Sequence, residues 1–371
     1  SRYFGQVGLG GVASTINPVA STTLRYPWID ANNDKVAQAG EAVLSANPIA
    51  LVAGTWSAAN PANTVSANSV DPNLKNDTTD ELIAGVDREI GRGFAVGASY
   101  VWRRYSNFWW DDRQGITTAD WNLVTYNPPA GACPAGARCE AITFYAPAFQ
   151  QPTIITTANA NGFSRTYNGF DLTGRKRMSN HWLMNTSFSY NSTIVNFDEF
   201  TGSQPSTTSA TLSEDPSNRD RRNGRQYDYL TGGSGIGNVY INAKWLFKLS
   251  GLYQLPGAVN VSAFYNARQG YPQEITLQTP SSLRINGSNQ IDLLLDPVGD
   301  TRLPTYHNLD FHVERPVKVQ NLRFVPSLDV FNVANSNIIQ AIRSRQNASN
   351  ANQIQAIVAP RVIRFGVRFN W

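Results

Sequence analysis

A chain of 371 residues with 16% charged side chains and a formal net charge of +4 is too sparsely charged for an ordinary globular protein, which carries roughly 25%. That small positive balance forms no concentrated basic stripe, which argues against nucleic-acid binding. A mean hydropathy of −0.32 and the lack of any run of roughly 18 apolar residues exclude a bundle of membrane helices. Nine Trp, fifteen Tyr and only two Met suit instead an all-β chain: an antiparallel transmembrane β-barrel, apolar toward lipid and polar toward its lumen.

Taken in chain order, the opening Ser1-Arg-Tyr-Phe-Gly5 lacks the charged and apolar regions of a signal peptide, so the chain reads as mature or shortened. A weak strand is predicted around Tyr3–Val7. A polar stretch, Asp30-Ala-Asn32-Asn-Asp34-Lys-Val36-Ala-Gln38-Ala-Gly-Glu41, then has the spacing of a twelve-residue calcium loop. Asp30, Asn32, Asp34 and Glu41 would offer side-chain oxygens, Val36 its carbonyl, and Gln38 a direct or water-borne contact. Lys35 stands where that loop wants Gly, and a polar Asx-rich loop is the other reading.

Period-2 alternation predicts the strands that follow, because a helix would repeat every 3.6 residues. Residues 80–90 align Leu82, Ala84 and Val86; 94–102 align Phe94, Val96, Ala98, Tyr100 and Trp102 against Ala95, Gly97 and Ser99. The crowd of Trp102, Tyr105, Phe108, Trp109 and Trp110 reads as an aromatic girdle at the membrane interface, or else as a ligand-stacking platform. Cys133 and Cys139, in Cys-Pro-Ala-Gly-Ala-Arg-Cys, suggest a small surface disulfide in an oxidising compartment, with free thiols as the alternative. Strands are predicted over 166–176, 182–190, 239–255, 259–268, 306–314, 322–333 and 361–371, which gives nine or ten in all.

Short turns (91–93, 177–181, 256–258, 315–321) alternate with long connections (104–165, 192–237, 269–305, 334–360 and, earlier, 8–79). That rhythm predicts periplasmic turns and long extracellular loops. Stretches such as Thr201–Ser213 and Arg345–Gln355 read as solvated and mobile. The basic cluster Arg219-Asp-Arg-Arg222-Asn-Gly-Arg225 suits lipopolysaccharide phosphates, or a solvated loop with internal Asp–Arg pairs.

The chain closes on Ile363, Phe365, Val367, Phe369 and Trp371 facing one way, with Arg364, Gly366, Arg368 and Asn370 facing the other. An apolar strand ending flush at an aromatic resembles the terminal signal recognised by the barrel-assembly machinery, which assigns Phe365, Val367, Phe369 and Trp371 to assembly. Thr79–Ile90 with Gly93–Arg104, Arg165-Thr-Tyr-Asn-Gly-Phe-Asp-Leu172, Phe247–Pro256 and Leu328-Asp-Val-Phe-Asn-Val333 together resemble the barrel strands of TonB-dependent receptors. The nearest likeness is to the Oar-like branch that bears a carboxypeptidase regulatory domain.

Such barrels have about 22 strands around a plug. The resemblance therefore implies that residues 1–371 are the C-terminal part of a larger barrel, with no plug domain among them. The rival expectation is a complete ten-stranded barrel, which an even strand number permits. The implied role is TonB-dependent uptake of an unidentified ligand in the outer membrane of a Gram-negative-type bacterium. TonB would make contact through an N-terminal part not contained in this sequence, and membrane lipid and lipopolysaccharide would surround the barrel. A structural or adhesive surface protein and a small passive porin are the alternatives.

No enzyme is expected, and no catalytic or cofactor-binding residue is assigned. His181, His307 and His312 accompany no nucleophile motif. Gly233-Ser-Gly235-Ile-Gly237 precedes a strand and opens no helix of the kind a phosphate cradle needs.

Overall fold

The computed structural model describes residues 1–5, 23–38, 40–43, 50–53, 68–91, 93–115, 121–147, 154–159, 164–196, 225–227, 243–279, 292–296, 299–320 and 322–370, and the structural statements below concern these. All regular structure among them is β. Ten strands make one continuous wall: β1 Arg2–Phe4, β2 Thr78–Glu89, β3 Phe94–Ser106, β4 Ser164–Ser179, β5 Trp182–Asn196, β6 Trp245–Leu255, β7 Val259–Arg268, β8 Tyr306–Glu314, β9 Leu322–Phe331 and β10 Val362–Asn370. Each pairs antiparallel with its neighbour in that order. The short pieces Arg225–Tyr227 and Val317–Val319 pair antiparallel with the end of β5 and the start of β9.

Register carries the alternation from strand to strand. Ala98 pairs with Val86 on one side and Leu172 on the other; Leu172 pairs with Phe188, and Phe188 with Phe247. A second row runs Trp182, Tyr253, Val261, Val313, Leu328, Phe365. A shift of one residue anywhere would turn a whole apolar set onto the opposite face. Within the described residues, the apolar series predicted from the sequence thus lie on one side of the wall.

The opposite side is less uniformly polar than expected. Leu183 faces Leu252, Ile83 faces Val101, and Phe264 lies between Ser250 and Asp310.

The short connections are conformationally specific. Asn180 and His181 both adopt positive φ, 50° and 67°, as a two-residue hairpin matched to strand twist requires. Gly91 and Gly93 flank their turn at φ 75° and 76°, where a Cβ would be strained. One boundary differs from expectation. The strand predicted over 239–255 begins at Trp245, with Lys244 in a bend and its amide held by the Gln269 side chain at 3.0 Å. Residues 239–242 lie outside the described set, as do Gln6 and Val7 beyond β1.

Among the described residues β1 and β10 do not pair, so the wall is open. β1 covers only the first three residues of β2 in register, and β10 pairs on one side with β9.

Candidate functional site: the polar wall and the loop cap

Two places gather functional groups: the polar face of β7–β10, and the far ends of three long loops.

On the polar face, register sets His312, Asp329 and Arg364 side by side across β8, β9 and β10. Asp329 takes His312 Nδ1 at 2.6 Å through one oxygen and Arg364 Nε at 2.9 Å through the other. Two residues along, Glu314 accepts from Asn260 at 3.1 Å and Arg368 at 3.2 Å, with His312 Nε2 at 3.7 Å. The result is a ladder in which each carboxylate lies between two nitrogen bearers. Facing pairs of this kind contribute roughly 0.2–1 kcal/mol each.

Beside the ladder, Ser262, Phe264, Asp310 and His312 line a hollow of about 320 Å³. Asp310 is itself engaged, accepting from the Asn332 amide at 2.9 Å and Asn308 at 2.8 Å.

Farther round the wall, Arg103 pairs with Glu81 and stacks over Tyr167 at 5.8 Å. Arg165 lies over Tyr105 at 5.9 Å and Phe108 at 5.4 Å. This divides the predicted aromatic girdle. Trp102 pairs with Leu82 on the apolar face, whereas Tyr105 and Phe108 join guanidinium groups at the other. Strand parity separates Trp102 from Tyr105, because residues of odd and even number point oppositely, while Phe108 lies beyond the end of β3, after Asn107 at φ 58°.

The long loops converge. Hairpins Trp121–Tyr126 with Ile142–Pro147, Thr276–Gln278 with Asp292–Leu294, and Ile339–Ile342 with Ile354–Ile357 come from the loops after β3, β7 and β9. Tyr126, Ile142, Leu277 and Leu293 form a buried apolar cluster, with Cys133 and Leu295 against it.

Across two loops the Gln346 amide donates to the Thr276 carbonyl at 2.8 Å and the Thr276 amide to the Ser344 carbonyl at 3.1 Å, and Gln278 and Asn347 bond reciprocally at 3.0 and 2.7 Å. Gln346, only 1% exposed, accepts the Arg138 amide at 3.0 Å and donates to Ser344 and Asn352. Arg138 is ion-paired with both Glu140 and Asp296. Its guanidinium holds the Glu140 carboxyl below the usual carboxylate range. Residues 345–355, expected to be solvated and mobile, are instead packed at their start, because Gln346 exchanges water for backbone partners.

The profile of the family described as "Outer membrane beta barrel domain" matches residues 7–290. The chain belongs to that family. Its wall is an outer-membrane barrel wall, apolar toward lipid, and its place is the outer membrane of a Gram-negative-type bacterium.

Among solved structures, the outer membrane transporter YddB from Escherichia coli aligns at 14% identity and a TM-score of 0.42, over 82% of this chain and 34% of that one. The FrpB iron transporter from Neisseria meningitidis aligns at 11% and 0.39, over 81% and 32%. The pyoverdine receptor FpvA from Pseudomonas aeruginosa PAO1 aligns at 11% and 0.40, over 80% and 30%. The barrel chain spans about a third of the length of each. No curated protein matches it.

The remaining sequence-derived sites fall as follows in this barrel chain. Cys133 and Cys139 are joined in a disulfide, a ring at the tip of the first cap hairpin. In the calcium-like loop, Asp30 accepts the Asp34 and Lys35 amides at 3.1 and 2.9 Å. Asp34 accepts the Val36 amide at 2.8 Å and Asn32 Nδ2 at 2.9 Å. Glu41 accepts Trp28 Nε1 at 3.0 Å and the Gln38 amide at 3.1 Å. The Trp28 bond, the largest cause, holds the Glu41 carboxyl below its ordinary range.

Lys35 takes φ 62°, the left-handed turn at the position where Gly was wanted. Among the described residues no group of three or more His, Cys, Asp and Glu is arranged to hold a metal. Phe365, Val367 and Phe369 lie exposed on the lipid face. Trp371, the side chains of Trp110 and the basic cluster 219–225, and Gly233–Gly237 lie outside what is described.

The ladder and the cap escaped sequence reasoning in different degrees. Two-residue alternation alone puts Asp310, His312 and Glu314 opposite Leu309, Phe311 and Val313, on the wet face, but their partners stand on other strands. Gln346 carried no sequence signal at all.

Proposed function

We propose that this chain is the wall of an outer-membrane receptor that takes up a ligand in a TonB-dependent way, of the Oar-like kind its strand motifs resemble. The observation that carries the reading is the charge ladder Arg364–Asp329–His312–Glu314–Arg368. Such a ladder has no place against hydrocarbon, where charged side chains cost several kcal/mol (roughly 2–4 at midplane). It suits an interior filled by water or protein. The extracellular assignment of the cap follows from the short-turn, long-loop rhythm, and it places a preformed surface where ligand arrives.

The wall is proposed to be part of a larger barrel. Among the described residues the outer edges of β10 and of most of β2 carry no strand, and bilayer hydrocarbon does not tolerate unpaired backbone groups. Assembly through the apolar C-terminal strand by the barrel-assembly machinery, and contact of the outer surface with lipopolysaccharide, belong to the same proposal. No catalytic role is proposed.

The test is site-directed cross-linking to TonB in native outer membranes, paired with planar-bilayer recording of the purified protein. TonB adducts together with a silent bilayer support the receptor. Steady conductance without TonB identifies a passive porin. Neither adducts nor conductance identifies a structural or adhesive surface protein.

A further inference from the structure

The first cap hairpin reaches the other two loops through its tip and through Tyr126 and Ile142 where its strands meet the tip. That tip is a ring closed by Cys133 and Cys139, six residues apart. Within it the Arg138 amide meets Gln346 at 3.0 Å, the Gly136 carbonyl accepts Asn352 Nδ2 at 3.2 Å, and the Arg138 guanidinium pairs with Asp296. Cys133 packs on the apolar cluster of Tyr126, Ile142, Leu277 and Leu293, while Cys139 is exposed to solvent. The other two loops hold each other independently, through Thr276–Gln346 and Gln278–Asn347. The ring therefore forms the polar half of a joint whose apolar half is Tyr126 and Ile142 packed with Leu277 and Leu293.

A segment of Pro, Ala and Gly has little side-chain reason to keep Gly136 and Arg138 in one geometry, and ordering it costs roughly 1–2 kcal/mol per residue. Cross-linking removes much of that freedom beforehand. The neighbouring contacts with Gln346, Asn352 and Asp296 all demand that the ring hold its shape.

We infer that the Cys133–Cys139 ring is a redox latch. Closed, it seats the first loop on the other two as one cap; opened, it frees the first loop while the wall stays folded. In opening, a dithiol passes two electrons and two protons to the disulfide. Cys133 and Cys139 become thiols, and the reductant becomes a disulfide. The inference stands on the contacts of the ring and is independent of what the receptor carries.

Hydrogen–deuterium exchange of the whole chain in detergent micelles, with and without dithiothreitol, tests it. Reduction is expected to raise exchange in residues 121–126 and 142–147 by about tenfold or more, as local opening does. Strands β5–β8 should keep their rates. Unchanged rates in that hairpin overturn the latch, and so does an equal loss of protection in the wall, which would make the disulfide a general staple. Arg138→Gln keeps the ring and removes its pairing with Asp296, so it avoids any failure of disulfide formation during folding. A smaller rise confined to the same hairpin is expected from it, and no rise overturns the role given to the ring's contacts.

Discussion

The wall and the cap treat their large apolar side chains in opposite ways. In the wall, Phe365 is 80% exposed and Phe369 60%, while Asp329 and Lys176 are among the buried polar residues. In the cap, Leu277 and Leu293 are sealed at 0% and 1%, and charged groups such as Glu140 lie outside. One polypeptide thus obeys two solvents. Where hydrocarbon surrounds it, apolar side chains point away from the chain's own neighbours; where water does, they gather inward. An exposed apolar side chain is thus stabilising in the wall and costly in the cap, because the solvent that meets it differs.

The comparison is broken most severely at the cap's centre. Leu277→Ala should cost about 2–5 kcal/mol, as a buried leucine does. The loss should appear as faster exchange in the three cap hairpins, with wall strands unaffected. Phe365→Arg should come next, at about 2–4 kcal/mol near midplane, measured by reversible unfolding from lipid vesicles. Its neighbour across the sheet plane, Arg368→Gln, should stay within about 0.5 kcal/mol, since Glu314 keeps Asn260. Equal penalties at 365 and 368 would mean that the assigned faces are wrong.

Acid gives a finer separation. Glu140 has its carboxyl pKa lowered by Arg138 from the ordinary 4.5. Its contribution is complete above the ordinary value and is lost as pH falls through the lowered one. Cap protection, taken relative to the intrinsic amide exchange rate at each pH, should therefore be flat near neutrality and fall below about pH 4, and Arg138→Gln should blunt that response. The smallest effect concerns the loop from Asp30 to Glu41. Calorimetric calcium titration should give matching isotherms for Glu41→Gln and the parent, as a purely hydrogen-bonded turn requires, and weaker uptake in the variant would revive the calcium reading.

The wall was legible because its signal is local. Two-residue alternation names the lipid-facing set from Leu82 to Phe369 without knowledge of any partner, and Gly91, Gly93 and the Asn180–His181 pair mark where strands reverse. At the start of β6 the bend at Lys244 interrupts an alternation that Val239 and Ile241 share in the sequence, and residues 239–242 lie outside the described set.

The cap was opaque for the converse reason. Arg138 and Gln346 meet across 208 residues of chain, through a main-chain amide and a side-chain amide that any polar loop supplies. Only the closely spaced cysteines hinted that the region had shape. The ladder stands between these cases: parity put His312 and Glu314 on the wet face, while pairing with Asp329, Arg364 and Arg368 needed the register.

The cap's three hairpins leave the wall after β3, β7 and β9, so joining them ties distant points of one arc by a chord. A force that flattens or widens the mouth between those strands must stretch that chord as well as bend the hydrogen-bonded ladder. The curvature of the rim is thereby set partly by groups that never touch the bilayer.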